Sequence, residues 1–93
     1  MSNKKLKIAR NKIDKIDKLI FNLIKKRSNV VKYMLSLKKY KNEIIDRKRI
    51  SVILRKIKKK SIENKVDPRV TNRIWKSMIW SYVDYQKRNF KKK

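Results

Sequence analysis

An apolar stripe near the start of the sequence is interrupted by four charged residues, and these are the first candidates for chemistry. The stripe repeats every three or four residues, as on one face of an α-helix, at positions 10, 13, 17, 20, 24, 27, 31, 34 and 38. Its charged members are Arg10, Asp17, Arg27 and Lys38. At about 100° per residue, Arg27 and Lys38 lie near the middle of the apolar face, and Arg10 lies towards an edge.

Two cations on an apolar face predict a site for an anion. An unpaired buried cation costs several kcal/mol, so each one needs a negatively charged partner. Such partners are scarce, because the chain has 7 acidic residues against 31 Lys and Arg. This balance favours a pocket for an anionic ligand. The alternative is structural: Arg27 pairs with Asp17 or Asp46, or its aliphatic stem carries the charge out to solvent.

Three absent residue types limit what such a site can do. The 93 residues contain no Cys, no Gly and no His. The chain therefore lacks a thiolate nucleophile, a glycine-rich phosphate loop, and the commonest general base and metal ligand at neutral pH. We expect no metal and no cofactor, and we expect any catalysis to depend on positioning and electrostatics.

Length and hydropathy predict one small domain, residues 1–93, in a soluble, cytoplasmic protein. No apolar run approaches the roughly 18–20 residues that span a bilayer, and the first residues lack the apolar core of a signal peptide. The formal net charge is +24. Abundant Lys, Ile and Asn would follow from AT-rich codons alone, so the charge does not by itself assign a function.

Signals for helix starts in the sequence predict three helices and an all-α fold. Pro68, the only proline, follows Asp67, and this pair suits an N-cap and a first helical residue. Asp46 lies where the dipole of a second helix favours a carboxylate. The predicted helices cover about residues 6–38, 46–62 and 68–90, ahead of a basic tail at 91–93.

Helical periodicity assigns inward faces to the second and third helices. The second carries Ile50, Ile53, Leu54 and Ile57 inward. The third carries Val70, Ile74, Met78, Tyr82 and Tyr85 inward, with Trp75 and Ile79 on its flank. Gln86 lies at the edge of the same face, where an amide is unfavourable unless it is hydrogen-bonded. The polar link 39–43 has no apolar anchor except Tyr40, so we expect it to be the most mobile element.

The first helix is too long for one small protomer to cover. Roughly 33 residues at a rise of 1.5 Å extend about 50 Å, and a 93-residue monomer cannot bury that whole face. We therefore predict a homodimer in which this helix packs against a second copy of itself.

Taken in order, these residues resemble the all-helical, AroQ-class chorismate mutases. That family opens with an Arg, an Ile-Asp pair, a second Asp, an aliphatic run, an Arg, and a Lys eleven residues later. The matching positions are Arg10, Ile13-Asp14, Asp17, Arg27 and Lys38. The resemblance continues through Asp46 and Arg49 to Gln86, and it covers roughly residues 6–88.

The resemblance implies an intertwined homodimer with two equivalent active sites for a dianionic substrate, chorismate. Each site would use Arg10 from one protomer and, from the other, Arg27, Lys38, Asp46, Arg49 and Gln86. Arg10 and Arg27 would bind the two carboxylates, and Lys38 and Gln86 would donate hydrogen bonds to the ether oxygen. Rearrangement to prephenate is pericyclic and needs no base, nucleophile or metal, which agrees with the absent residue types.

Two positions depart from the mutase pattern. Where many mutases have a Glu that accepts from the ring hydroxyl, directly after the Arg, this chain has Ile50. Where some have a Ser four residues before the final Gln, it has Tyr82. Both departures look more like the isochorismate-pyruvate lyases of the same fold, which form salicylate and pyruvate. Mutase activity, which serves phenylalanine and tyrosine synthesis, remains the first expectation because Asp46 follows the mutase pattern, and the lyase is the alternative.

Two other classes stay open. A basic helical protein that binds nucleic acid would explain the charge, but the basic residues spread along all three helices and no helix-turn-helix or zinc pattern appears. A structural dimerisation module would instead pair Arg10, Arg27 and Lys38 with Asp14, Asp17 and Asp46. We expect no specific nucleic acid and no membrane as partners.

Overall fold

Three α-helices make up almost all of the chain that the structure describes. The computed structural model describes residues 2–91; Met1 lies outside them, as do Lys92 and Lys93 of the predicted tail. The elements are α1, Ser2–Leu37, a 3-10 turn, Lys41–Glu43, α2, Arg47–Glu63, and α3, Pro68–Asn89. No strand occurs among residues 2–91, so the all-α prediction is confirmed. Within the same residues, none of the helices combines the length and apolar content that crossing a bilayer requires.

Helix α1 both begins and ends earlier than the sequence predicts. It starts at Ser2 rather than near residue 6, because no Gly or Pro occurs there to stop it. It ends at Leu37, and the backbone N–H of Lys38 bonds to the carbonyl oxygen of Leu35 at 3.1 Å. This bond to the third residue back tightens the last turn. Lys38, expected as the last residue on the helix face, is therefore the first residue beyond the helix.

An aspartate caps the N-terminus of α2 and of α3, as the sequence predicts. Asp46 is the N-cap of α2 rather than its first residue, and its Oδ1 accepts from the backbone N–H of Arg49 at 3.0 Å. Asp67 caps α3 in the same way, accepting from the Arg69 N–H at 2.9 Å, and Pro68 takes the first helical position. Each cap satisfies a backbone donor that the helix itself leaves unpaired.

A tight reversal without glycine joins α2 to α3. Lys65 adopts a left-handed conformation, with φ 57°, directly after the C-cap Asn64. The Val66 N–H bonds to the carbonyl of Ser61 at 2.8 Å, and the Lys65 N–H bonds to that of Ile62 at 3.3 Å. This pair of bonds is a Schellman motif, whose left-handed position usually belongs to Gly. In this chain, which contains no glycine, Lys65 occupies that position.

The chain divides into two compact units, one ending at Val31 and the other beginning at Lys32. In the second unit α2 packs against α3, and Ile79 and Val83 of α3 are buried. A partly buried hydroxyl pair adds a polar contact between the helices, because Ser61 Oγ lies 2.7 Å from Thr71 Oγ1. This helix pair forms the scaffold that carries the end of α3.

The inward face of α3 is rotated from the predicted one. Val70 and Ile74, placed inward by periodicity, are 51% and 52% exposed, whereas Ile79 and Val83 are buried. The prediction selected the wider apolar stripe of α3. Within one chain, however, the narrower stripe that ends at Gln86 is the one that faces α2. In the single chain Val70 and Ile74 of the wider stripe are left uncovered, whereas Met78, Tyr82 and Tyr85 are half-buried.

The link between α1 and α2 is anchored by Ile44 rather than by Tyr40. Tyr40 is 67% exposed, whereas Ile44, just after the 3-10 turn, is only 4% exposed. The aromatic ring of Tyr40, the one apolar side chain within residues 39–43, therefore lies mostly in solvent. An aliphatic side chain at the end of the turn anchors the link instead.

The first unit, which ends at Val31, is a single stretch of α1 that leaves a run of aliphatic side chains exposed. Ile13, Ile16, Ile20 and Leu23 are each between 49% and 63% exposed. Such a run of exposed aliphatic side chains is unusual for a protein that stays monomeric.

Candidate active site

Lys38 and Gln86 come together although 48 positions separate them. Nζ of Lys38 donates to Oε1 of Gln86 at 2.7 Å. Nε2 of Gln86 donates to the carbonyl oxygen of Tyr82, one turn earlier in α3, at 3.2 Å. Gln86 is 8% exposed, so the amide that the sequence placed at the edge of the α3 face lies inside the protein. Both ends of this amide are hydrogen-bonded, which offsets its burial.

Partial burial acts against the charge of Lys38. Removal from water lowers the pKa of its ammonium group, and the nearby carboxylates of Glu43 and Asp46 partly offset this by raising that pKa. A half-buried cation interacts more strongly with an anion than a fully hydrated one does. Lys38 is therefore suited to bind negative charge.

The connection after α1 brings both of those carboxylates beside Lys38. Oε2 of Glu43 accepts from the backbone N–H groups of Lys39 and Tyr40, at 2.7 Å and 2.8 Å. Oδ1 of Asp46 accepts from the backbone at the start of α2. Each carboxylate thus binds a main-chain donor, and each acts on Lys38 through its charge.

A cationic depression of about 1150 Å³ opens beside Lys38. Its walls come from the link after α1, the start of α2 and the end of α3. Five cations less two carboxylates give the lining a formal charge of +3. The cations are Lys38, Lys41, Arg47, Lys48 and Lys87, and the carboxylates are Glu43 and Asp46. Its sign suits an anionic ligand.

Three further predicted site residues lie on α2 and α3. Arg49 is exposed in the first turn of α2, where its backbone N–H is held by Asp46. Ile50 is half-buried, and its N–H bonds to the Asp46 carbonyl oxygen at 3.0 Å. Tyr82 is half-buried one turn before Gln86. Because Ile50 is aliphatic, it has no polar group to offer a ligand hydroxyl.

The two predicted carboxylate-binding arginines lie in the first unit, on α1. Arg10 is exposed and Arg27 is half-buried. They are 17 residues apart in the sequence, which corresponds to about 25 Å along a helix. Two arginine side chains of one chain cannot close that distance around a single small ligand.

Sequence reasoning missed the residues that hold the link, Glu43 and Ile44. Glu43 is the one acid between Asp17 and Asp46, and it comes three residues after Tyr40. A Glu three residues after the N-cap is half of a capping box, but the N-cap here is Tyr40 rather than Ser, Thr, Asp or Asn, so the signal in the sequence is weak. Ile44 begins the only aliphatic pair in the link, Ile44-Ile45.

Together, these features define an all-helical protein with a cationic, hydrogen-bonded site suited to a small anion. A family model described as chorismate mutase type II matches residues 9–87. The match covers most of the chain, so the protein belongs to the chorismate mutase type II family, and the resemblance seen in the sequence is confirmed. Searches against curated proteins and against solved structures returned no match.

Proposed function

We propose that this protein is a chorismate mutase, which converts chorismate to prephenate. The observation that carries the proposal is the 2.7 Å hydrogen bond from Lys38 to Gln86 beside a cationic depression. These are the two residues that the resemblance assigns to the ether oxygen of the substrate, and membership of the family supplies the reaction class. A cytoplasmic role in phenylalanine and tyrosine synthesis follows from that reaction.

Lys38 and Gln86 are suited to stabilise negative charge that grows on an ether oxygen. The rearrangement breaks the bond between that oxygen and the ring and forms a carbon–carbon bond in the same molecule, so no proton is gained or lost. An ammonium group has three N–H donors, one of which Gln86 accepts here. The amide of Gln86 has a second N–H besides the one that Tyr82 accepts. Both residues therefore have donors left for the substrate.

The two carboxylates of chorismate need two cationic partners, which we assign to Arg27 of one protomer and Arg10 of a second. A planar guanidinium binds a carboxylate through two parallel hydrogen bonds. The separation of about 25 Å along α1 supports taking the two arginines from different chains. Asp46 and Arg49, at the start of α2, complete the set that the resemblance assigns to the site.

A homodimer follows from the same assignment. The uncovered aliphatic stripe of α1, with Ile13, Ile16 and Ile20 about half exposed, supports it. Covering apolar surface contributes roughly 25 cal/mol per Å², so a second copy packed along this stripe stabilises the dimer. The uncovered stripe of α3, with Val70 and Ile74, adds further apolar surface to such an interface.

A second candidate reaction is the lyase that forms salicylate and pyruvate from isochorismate. It is favoured by Ile50, which is half-buried in the first turn of α2 where many mutases have a Glu. Isochorismate carries its hydroxyl elsewhere on the ring, so an aliphatic residue at this position is less unfavourable for it. Tyr82, half-buried one turn before Gln86, is the other lyase-like feature.

Paired substitutions test whether Lys38 and Gln86 act as one catalytic unit. Lys38→Met and Gln86→Met remove the polar groups while nearly keeping the side-chain length. Each is expected to lower kcat for chorismate about 10²–10³-fold. The double variant should lose little more than the worse single variant, because the two groups depend on each other. Lys76→Ala, at an exposed lysine of α3, is the matched control and should leave kcat unchanged.

Thermal melting of the same variants separates catalysis from structure. Lys38→Met should melt at an unchanged or higher temperature, because burial of the Lys38 charge opposes folding, as its lowered pKa indicates. Lys38 itself lines the open depression, so water can take the place of its ammonium group. A lower melting temperature with kcat retained would instead show that Lys38 belongs to a structural pair.

A further inference from the structure

Lys38 is the first residue beyond α1, and its backbone N–H bonds to the carbonyl oxygen of Leu35 at 3.1 Å. The residues directly after Lys38 are held instead by one side chain. Oε2 of Glu43 accepts from the N–H of Lys39 at 2.7 Å and from the N–H of Tyr40 at 2.8 Å. The two peptide units after Lys38 are thus bound to a single carboxylate oxygen.

Glu43 is itself held in place by its own backbone. The N–H of Glu43 donates to the carbonyl of Tyr40 at 3.1 Å, and the N–H of Ile44 donates to the carbonyl of Lys41 at 3.2 Å. Ile44 is 4% exposed, which fastens the end of the turn to the protein interior. Glu43 therefore connects a buried anchor to the residues that carry Lys38.

We propose that Glu43 is a positioning residue for Lys38: its carboxylate holds the Lys39 and Tyr40 amides and so sets where the Lys38 ammonium group meets Gln86 and the substrate. This inference rests on the proposed function of Lys38. Glu43 does not need to touch the substrate in this role. Its effect on the reaction passes through the backbone just after Lys38.

Charge gives Glu43 a second effect on the same lysine. Burial lowers the pKa of Lys38, and the Glu43 carboxylate, followed by that of Asp46, raises it. Glu43 therefore helps to keep Lys38 protonated as the pH rises. The other charged groups that line this depression are Lys41, Arg47, Lys48 and Lys87, which all favour the neutral form of Lys38.

Two substitutions of Glu43 separate the hydrogen bonds from the charge. Both backbone bonds end on one oxygen, so the amide oxygen of Glu43→Gln can still accept them, whereas Glu43→Ala cannot. Glu63→Ala is the matched control, because Glu63 is an exposed acid at the end of α2 whose ion pair is with Lys59 at 3.9 Å. All four proteins, wild type included, are compared as full chains.

Three readouts are measured on each protein: hydrogen exchange at the Lys39 and Tyr40 amides, kcat and KM for chorismate, and the pH dependence of kcat/KM. In Glu43→Ala both amides should lose protection, and kcat should fall about tenfold or more with a smaller change in KM, since a displacement of about 1 Å can cost up to 10²-fold. Glu43→Gln should recover most of that kcat. In both variants the alkaline fall of kcat/KM should move to lower pH, and Glu63→Ala should match the wild type.

The outcomes distinguish this inference from the function on which it rests. Wild-type turnover together with an unchanged kcat and pH profile in Glu43→Ala overturns the role of Glu43 alone. Unprotected Lys39 and Tyr40 amides in the wild type overturn it as well, because the carboxylate then does not hold the loop. A folded wild type that turns over neither chorismate nor isochorismate overturns the proposed function, and the role of Glu43 with it.

Discussion

Burial and hydrogen bonding act in opposite directions on Lys38. Partial removal from water disfavours its ammonium charge, while the bond to Gln86 and the charges of Glu43 and Asp46 favour it. A cation kept under these conditions can stabilise new negative charge with little rearrangement of its surroundings. This is how a protein without His, Cys or Gly can catalyse a reaction that needs no proton transfer.

The pH profile should report the ionisation of Lys38. We expect kcat/KM to fall as pH rises through the pKa of Lys38, because the neutral amine no longer stabilises charge on the ether oxygen. Since burial lowers that pKa, the fall should come at lower pH than for an exposed lysine. In Lys38→Arg the side chain stays charged throughout, so this alkaline fall should disappear even where the absolute rate is lower. An unchanged alkaline fall in that variant would assign the titration to another group.

The sequence predicted individual site residues only where they belong to a helix face or to a family motif. The spacing from Arg10 to Lys38 and the final Gln86 selected the family, because it reflects one helix face and a family motif. Glu43 was not selected, since its role depends on how the chain folds back after α1. A side chain that binds a nearby main-chain amide leaves little periodic signal in the sequence.

The candidate site is positioned more by the link between α1 and α2 than by the helices themselves. Helix α1 ends one residue before Lys38, and α2 begins at its cap, Asp46, so the link between them carries both the cation and the nearby acids. Helix α3 contributes Gln86 from its last turns. The two helix starts were predictable because Asp46 and Asp67 give local capping signals. The end of α2 was also predicted to within one residue, at residue 62 rather than Glu63, although no glycine marks it.

A glycine in the reversal after α2 should make the fold more stable. Lys65 holds a left-handed position, which is unfavourable for a residue with a Cβ atom. We expect Lys65→Gly to stabilise the fold by about 1 kcal/mol, which raises the melting temperature by about 4–8 °C for a domain of this size. Lys65→Ala keeps the Cβ atom and removes the rest of an exposed side chain, so it should melt like the wild type at the same protein concentration. Equal melting temperatures for the Gly and Ala variants would contradict this account.

For the whole molecule, the exposed aliphatic side chains indicate that two copies associate rather than that the chain stays monomeric. The α1 stripe and the α3 stripe leave aliphatic side chains about half exposed in the single chain. A charge of +24 opposes close approach of two copies, so a dimer requires apolar contact along these faces. Periodicity predicted which residues of α1 are apolar, but it overestimated how many of them one chain buries, because it does not distinguish contacts within a chain from contacts between chains.

Mixing two inactive variants tests whether sites are shared between chains. Arg10→Ala and Arg27→Ala should each be inactive alone, because every site then lacks one carboxylate partner. Refolded together in equal amounts, they should recover about a quarter of wild-type activity, since half of the dimers are mixed and each mixed dimer has one intact site of two. Refolding each variant by itself is the control. No recovery in a mixture that sediments as a dimer would contradict the assignment of Arg10 to the partner.

The most direct test of the central claim is a paired assay of the purified wild-type protein. Loss of chorismate is followed by absorbance, and salicylate formed from isochorismate is followed by fluorescence. We predict efficient turnover of chorismate with little salicylate, which would also show that Ile50 is compatible with mutase activity. Efficient salicylate formation with slow loss of chorismate would contradict the mutase assignment and make Ile50 and Tyr82 the features of a lyase. Turnover of neither substrate by a folded dimer would contradict catalysis altogether.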